Sequence, residues 1–205
     1  MMTSAPNIAI VILAAGASKR MGKPKQLLKW GEGTLICHSI KIASEVNPKN
    51  IYIVLGAHFE FIKNNIETSN VTILNNIHWE KGLGTSIACA VEHLQNSKSN
   101  VDGVLITLCD QPLITSDFLK LLVSKFQSGK NQIIATSYGN EKPGVPALFD
   151  KIYFNELMAL SDDQGAKAIL KKYENQVVSV LPPEKNVDLD TKEDYTNLYQ
   201  SNFKN

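Results

Sequence analysis

The chain has 205 residues, 43% hydrophobic and 20% charged, a balance that excludes a disordered chain and suits one α/β domain with a large core. Its 21 basic and 20 acidic residues leave a formal charge of +1, so no global field draws it to nucleic acid or to an anionic membrane, and neither is expected as a partner. Three cysteines (Cys37, Cys89, Cys109) without a CxxC pair, and four histidines without metal-binding spacing, argue against a disulfide framework or structural zinc and for a reducing, cytoplasmic setting.

In chain order, the first apolar run is Ile8–Leu13. It is too short to span a bilayer and has no basic region before it, so it reads as a strand and not as a membrane segment or signal peptide. Further Val- and Ile-rich runs follow at Ile51–Leu55, Val71–Leu74, Val104–Cys109, Gln132–Ser137 and Gln176–Leu181. Helical patterns lie at Thr34–Val46, His58–Glu67, Gly84–Gln95 and Thr115–Phe126. This alternation implies a three-layer α/β/α fold with a mostly parallel sheet, in which ligands bind beyond the carboxyl ends of the strands. The alternation weakens after Tyr138. Gly139–Pro146 is turn-rich, and helical patterns return at Lys151–Leu160 and Gln164–Tyr173. Residues 139–175 are read as an excursion that shapes a second-substrate pocket, within a single domain spanning 1–205.

The first strand runs directly into Leu13-Ala-Ala-Gly-Ala-Ser-Lys-Arg-Met-Gly-Lys-Pro-Lys-Gln-Leu-Leu28. Ala14, Ala15, Gly16 and Ala17 let backbone N–H groups approach a ligand, and Lys19, Arg20, Lys23 and Lys25 supply positive charge. An ordinary basic surface loop has the same composition. The position straight after an apolar strand favours phosphate binding. A Walker P-loop is excluded, because five residues separate Gly16 from Gly22 and Pro24 follows Lys23. The segment resembles the signature loop of the MobA-like NTP transferase family, closest to its molybdenum cofactor cytidylyltransferase branch, and the likeness extends over about residues 8–198. The resemblance implies a Rossmann-like nucleotidyltransferase fold. It also implies that Leu13, Ala14, Ala15, Gly16 and Ser18 line the nucleotide site, and that Arg20 and Lys25 hold the triphosphate, with Lys25 near the reacting phosphate.

Further along, Asn75-Asn-Ile-His-Trp-Glu-Lys-Gly-Leu-Gly-Thr-Ser86 leads from strand to helix, where an N-terminus suits an anion. It resembles the family's segment before its serine-rich helix, which assigns Gly82 and Ser86 to nucleotide contact and leaves Trp79 to packing. The run Val104–Cys109 ends in Asp110-Gln111-Pro112. A turn Asp before Pro is common, but a strand-end carboxylate also faces the ligand crevice. The likeness to the family's metal motif implies that Asp110 holds Mg²⁺. Cys109 reads as a small buried hydrophobe. Gly144–Phe149 and Asp162–Lys167 resemble segments near the acceptor, although Asp162 stands where the family has Gly. Near the end, Thr191 and Asp194 form a capping-box pattern. Asp190 just before it matches the family's second metal ligand, with Lys192 in place of Pro, and Asp188 is an additional metal candidate.

The chemistry implied is in-line attack of an acceptor phosphate on the α-phosphorus of an NTP, with Mg²⁺ as cofactor and Lys25, Arg20 and Asp110 as catalytic groups. CTP is expected over GTP because Ala15 stands where the guanylyl branch has Gly. Molybdopterin is the expected acceptor, and a molybdoenzyme or its chaperone a possible partner. Competing readings are a nucleotidyltransferase for a sugar phosphate or methylerythritol phosphate, a glycosyltransferase built on Asp188-Leu-Asp190, and a non-catalytic nucleotide-binding regulator.

Overall fold

The computed structural model describes residues 5–47, 49–66, 70–97, 99–139, 142–182 and 186–204. In chain order these form β1 (Ile8–Leu13), β2 (Lys29–Trp30), β3 (Gly33–Thr34), α1 (Leu35–Val46), β4 (Ile51–Leu55), α2 (Phe59–Lys63), β5 (Thr72–Asn75), α3 (Leu83–Asn96), β6 (Gly103–Leu108) and α4 (Ser116–Lys125). Then come β7 (Ile133–Tyr138), β8 (Lys142–Asp150), α5 (Phe154–Met158), α6 (Lys167–Lys172), β9 (Val177–Val180) and α7 (Lys192–Phe203).

Seven strands form one sheet in the order β5-β4-β1-β6-β8-β7-β9. Its ladders are parallel except where β8 pairs with β6 and β7. Strand β1 is buried along its whole length, which is why its sequence is a continuous apolar run rather than an alternating one. Its side chains still divide by parity. Ile8, Ile10 and Ile12 pack with Leu35, Ile36 and Ile40 of α1 and Phe118 and Leu122 of α4, while Ala9, Val11 and Leu13 meet α3, α5 and α6 on the opposite face. The expected three layers and mostly parallel sheet are therefore present.

The sequence reading missed β8. It pairs antiparallel with β6 from Gly103↔Asp150 to Ile106↔Ala147, and its ladder with β7 shifts register between Ala135 and Thr136. Pro143, Gly144 and Pro146 lie inside this strand, so composition alone reads as turn. The short β2–β3 hairpin was missed as well. Helix α2 is shorter than the expected His58–Glu67, and Glu67 lies outside the described residues. The capping box before α7 is formed, with Thr191 N donating to Asp194 Oδ2 (2.8 Å) and Asp194 N to Thr191 Oγ1 (3.1 Å).

Candidate active site

Strands β1 and β6 are neighbours with Leu13 opposite Leu108, so the loop after β1 and Asp110 after β6 emerge side by side. Between them opens a cavity of about 660 Å³. Leu13, Ala14, Ala15, Gly16, Ser18 and Lys25 line it on one side, Gly82 and Ser86 on another, and Asp110 at its floor. All of these were singled out from the sequence. Trp79 also lines it while packing on Gly56, whose added Cβ would meet the Trp79 Cβ at 2.5 Å.

Local contacts hold the loop open. A Cβ added at Gly16 would meet nothing within 4 Å, so packing does not demand glycine there and the space beside the backbone is left to a ligand. Gln26 is 1% exposed and donates from Nε2 to the carbonyls of Ala14 (2.7 Å) and Gly16 (3.0 Å). With those carbonyls tied back and the Ala14 amide donating to the Val54 carbonyl (2.9 Å), it is the amides that follow, from Ala15 to Ala17, that can face an anion. Gln26 was not recognised from the sequence: a buried amide that latches a loop has no spacing signature. Ser18 adopts left-handed backbone (φ 53°), and its hydroxyl accepts from the Lys25 amide at 3.2 Å.

The segment around Asp163 presses against the start of α3. A Cβ on Gly82, which has φ +115°, would lie 2.3 Å from Asp163 Oδ1, and Gly84 N donates to the Asp162 carbonyl at 2.7 Å. Asn76 Nδ2 donates to the buried Ser86 hydroxyl at 2.9 Å.

Charge is concentrated at the floor. The Lys25 ammonium donates to Asp110 Oδ2, to the Leu189 carbonyl (3.1 Å) and to Asp190 Oδ1 (3.5 Å). Arg20 and Asp190 are not among the residues that line the cavity; Arg20 pairs with the other oxygen of Asp190 at 3.1 Å. Leu189 is fully buried, and its amide donates to the Asp110 carbonyl at 3.0 Å, which pins this segment against the end of β6. Burial alone would pull the Lys25 ammonium down, but the Asp110 and Asp190 carboxylates outweigh it and raise it above the ordinary lysine value. Burial pushes the Asp110 carboxyl up against the pull of Lys25. Asp188 makes no hydrogen bond to this group, although its charge helps push the Asp110 carboxyl up. It is exposed, and its Oδ1 accepts from Gln111 Nε2 at 2.9 Å. Cys109 is buried, and desolvation first, then Asp110, raise its thiol to about 12, so it is no nucleophile.

A divalent ion fits these residues. Asp110 Oδ1 is buried without a hydrogen-bond partner, and Asp190 holds the same ammonium as Asp110. Mg²⁺ commonly takes one or two carboxylates and completes its shell with water and substrate phosphates. Among the described residues no group of three or more His, Cys, Asp or Glu is placed to hold a metal ion. No helix among them is long and apolar enough to cross a membrane.

A model of the MobA-like NTP transferase domain matches residues 10–177. The molybdenum cofactor cytidylyltransferase of Escherichia coli is 28% identical over 188 residues, covering 92% of this chain and 93% of that protein. A probable molybdenum cofactor guanylyltransferase of Bacillus cytotoxicus is 26% identical over 200 residues, covering 94% of this chain and 96% of that one. In fold, the chain matches the crystal structure of Rv0371c from Mycobacterium tuberculosis with TM-score 0.82, at 23% identity over 96% of this chain and 100% of that one. A second crystal structure of Rv0371c is a complex with manganese, matching with TM-score 0.77 at 22% identity over 95% of this chain and 99% of that one.

Proposed function

The chain belongs to the MobA-like NTP transferase family and is a nucleotidyltransferase, and from that premise we propose that it transfers CMP from CTP to the phosphate of molybdopterin or molybdenum cofactor, releasing pyrophosphate. The observation that carries this reading is Lys25 held between Asp110 and Asp190 at the foot of a small-residue loop. That is a cation and two anions where a triphosphate and an attacking phosphate would meet.

The acceptor phosphate oxygen attacks the α-phosphorus. As the new P–O bond forms, the bond to the bridging oxygen breaks, and its electron pair leaves with pyrophosphate. The loop amides bind the triphosphate, with Gln26 holding the loop in shape. Lys25 and Arg20 stabilise charge gathering on the leaving pyrophosphate. Asp110 and Asp190 would hold a Mg²⁺ ion, which when bound neutralises phosphate charge and polarises the α-phosphoryl group. No protein nucleophile is required.

The choice of CTP rests on the cytidylyltransferase relative and on Ala15, buried in the cavity wall at 7% exposure. One methyl filters size by only about 1–3 kcal/mol, so contacts to the base edge must contribute. The test is a pyrophosphate-release screen of the NTPs against molybdopterin, sugar phosphates and methylerythritol phosphate. CTP with molybdopterin should give the highest kcat/KM, and Ala15→Gly should shift the CTP/GTP ratio toward GTP by about tenfold. A wild type that prefers GTP would overturn the base, and one that prefers a polyol phosphate would overturn the acceptor.

A further inference from the structure

Asp110 divides the carboxyl edge of the sheet. The cavity over β1 and β6 lies to one side of it, and a polar cluster that the nucleotide chemistry does not use lies to the other, over β8 and β7. Gln111 is its centre, 5% exposed. Its Nε2 donates to Asp188 Oδ1 (2.9 Å) and to the Tyr138 hydroxyl (3.1 Å). Asn186 Nδ2 donates to the same hydroxyl at 3.0 Å, and the Tyr138 hydroxyl donates to the Val145 carbonyl on β8.

Donor accounting fixes the orientations. The Tyr138 proton is committed to Val145, so Tyr138 can only accept from the two amides, and Gln111 must turn its NH₂ toward both Tyr138 and the Asp188 carboxylate. Gln111 Oε1 and Asn186 Oδ1 are then buried acceptors with no partner. The cluster therefore holds Asp188 at the surface as an oriented carboxylate, and that carboxylate is the part of it that a ligand's hydrogen-bond donors can reach. Such an edge repels phosphate. It suits a neutral heterocycle carrying an amino group next to a ring N–H, which meets a carboxylate through paired hydrogen bonds as a guanidinium does.

We infer that Asp188, oriented by Gln111 and Tyr138, is a specificity-determining residue that reads an amino/N–H edge on the acceptor, and is not a metal ligand. This rests on the nucleotidyltransferase reading and names the chemistry of its second substrate. It also accounts for Asp188 facing Gln111 while Asp190, two residues on, faces Lys25.

The experiment has a binding arm and a kinetic arm. In the first, pterin, which carries the edge but no phosphate, is titrated by fluorescence into the protein with CTP and calcium present, for the wild type, Asp188→Asn and Gln111→Leu. Asp188 is exposed, so its substitution spares the core even if Gln111→Leu fails to fold. Saturable binding to the wild type, weakened about tenfold or more by Asp188→Asn, is expected, because an amide NH₂ then faces the donor edge. In the second, Asp188→Asn should raise KM for molybdopterin by about tenfold and leave KM for CTP and the Mg²⁺ activation constant within twofold of wild type. No pterin binding to the wild type, or an Asp188→Asn effect on Mg²⁺ activation in place of acceptor KM, would overturn the inference. If pterin binds in an Asp188-dependent way while molybdopterin is not turned over, the acceptor named above is wrong and the recognition edge stands.

Discussion

The two halves of the carboxyl edge differ in how they are built. From β5 to β6 every ladder is parallel, and each strand feeds a loop that rises at the sheet's end. From β6 to β7 the chain doubles back through β8, a long strand with two prolines, a glycine and a register shift against β7. In the first half an uninterrupted apolar run fixes where the strand stops, so Gly16 and Asp110 can both be placed in the lining of one cavity. In the second, the residues that meet (Gln111, Tyr138, Asn186, Asp188) come from separate segments joined by hydrogen bonds that leave no periodic trace. The side proposed for the nucleotide is thus set by strand ends, and the side proposed for the acceptor by tertiary contacts.

The largest expected effect breaks the first half at its floor. Asp110→Asn should lower turnover by about 10³-fold while the circular dichroism spectrum stays that of the wild type, since the substitution is isosteric and removes charge where phosphates gather. Activity within tenfold of wild type in Mg²⁺ would remove Asp110 from the chemistry. Lys25→Met should cost about 10²-fold in kcat/KM for CTP. It should also lower Tm, because Asp110 loses its partner at a site where both side chains are under 20% exposed (18% and 17%).

A pair of glycines sharpens the comparison. Gly82→Ala drives a Cβ into Asp163 in a left-handed conformation and should destabilise the protein by about 1–3 kcal/mol in urea unfolding. Gly16→Ala meets open space, so its unfolding midpoint should match wild type while KM for CTP rises severalfold. Equal stability losses would mean that Gly16 is a packing glycine.

Legibility follows the same division. Asp190 could be found because it precedes a helix whose capping box is written locally as Thr191 and Asp194, and Lys192, where the family has Pro, starts α7 without disturbing it. Asp188, two residues earlier, is a metal candidate by the same motif, and nothing in the sequence shows that the two carboxylates on either side of buried Leu189 meet different partners, Gln111 for Asp188 and Lys25 for Asp190. Gln26 and Gln111 could not be ranked, because a buried amide gains its role only from the carbonyls and hydroxyls that the fold brings to it.

The smallest effect lies away from both halves. Burial first lowers the His38 imidazole below its ordinary value, and hydrogen bonding to the Pro112 carbonyl (3.0 Å) does not reverse this. A lowered folded value means that the unfolded chain binds the proton more readily. Stability contributed by neutral His38 is therefore intact above about pH 6.5 and declines as pH falls toward the folded value. His38→Gln should flatten that part of the stability–pH curve, and an unchanged slope would assign the dependence to another group.

The most direct measurement follows the α-phosphorus. CTP labelled at that atom is incubated with molybdopterin and Mg²⁺, and the label is traced for wild type, Asp110→Asn and Asp190→Asn. The account predicts label on the acceptor and stoichiometric unlabelled pyrophosphate with the wild type, and neither with the two variants or with EDTA. Label recovered as CDP or free phosphate, or transfer that survives loss of either aspartate, would contradict it.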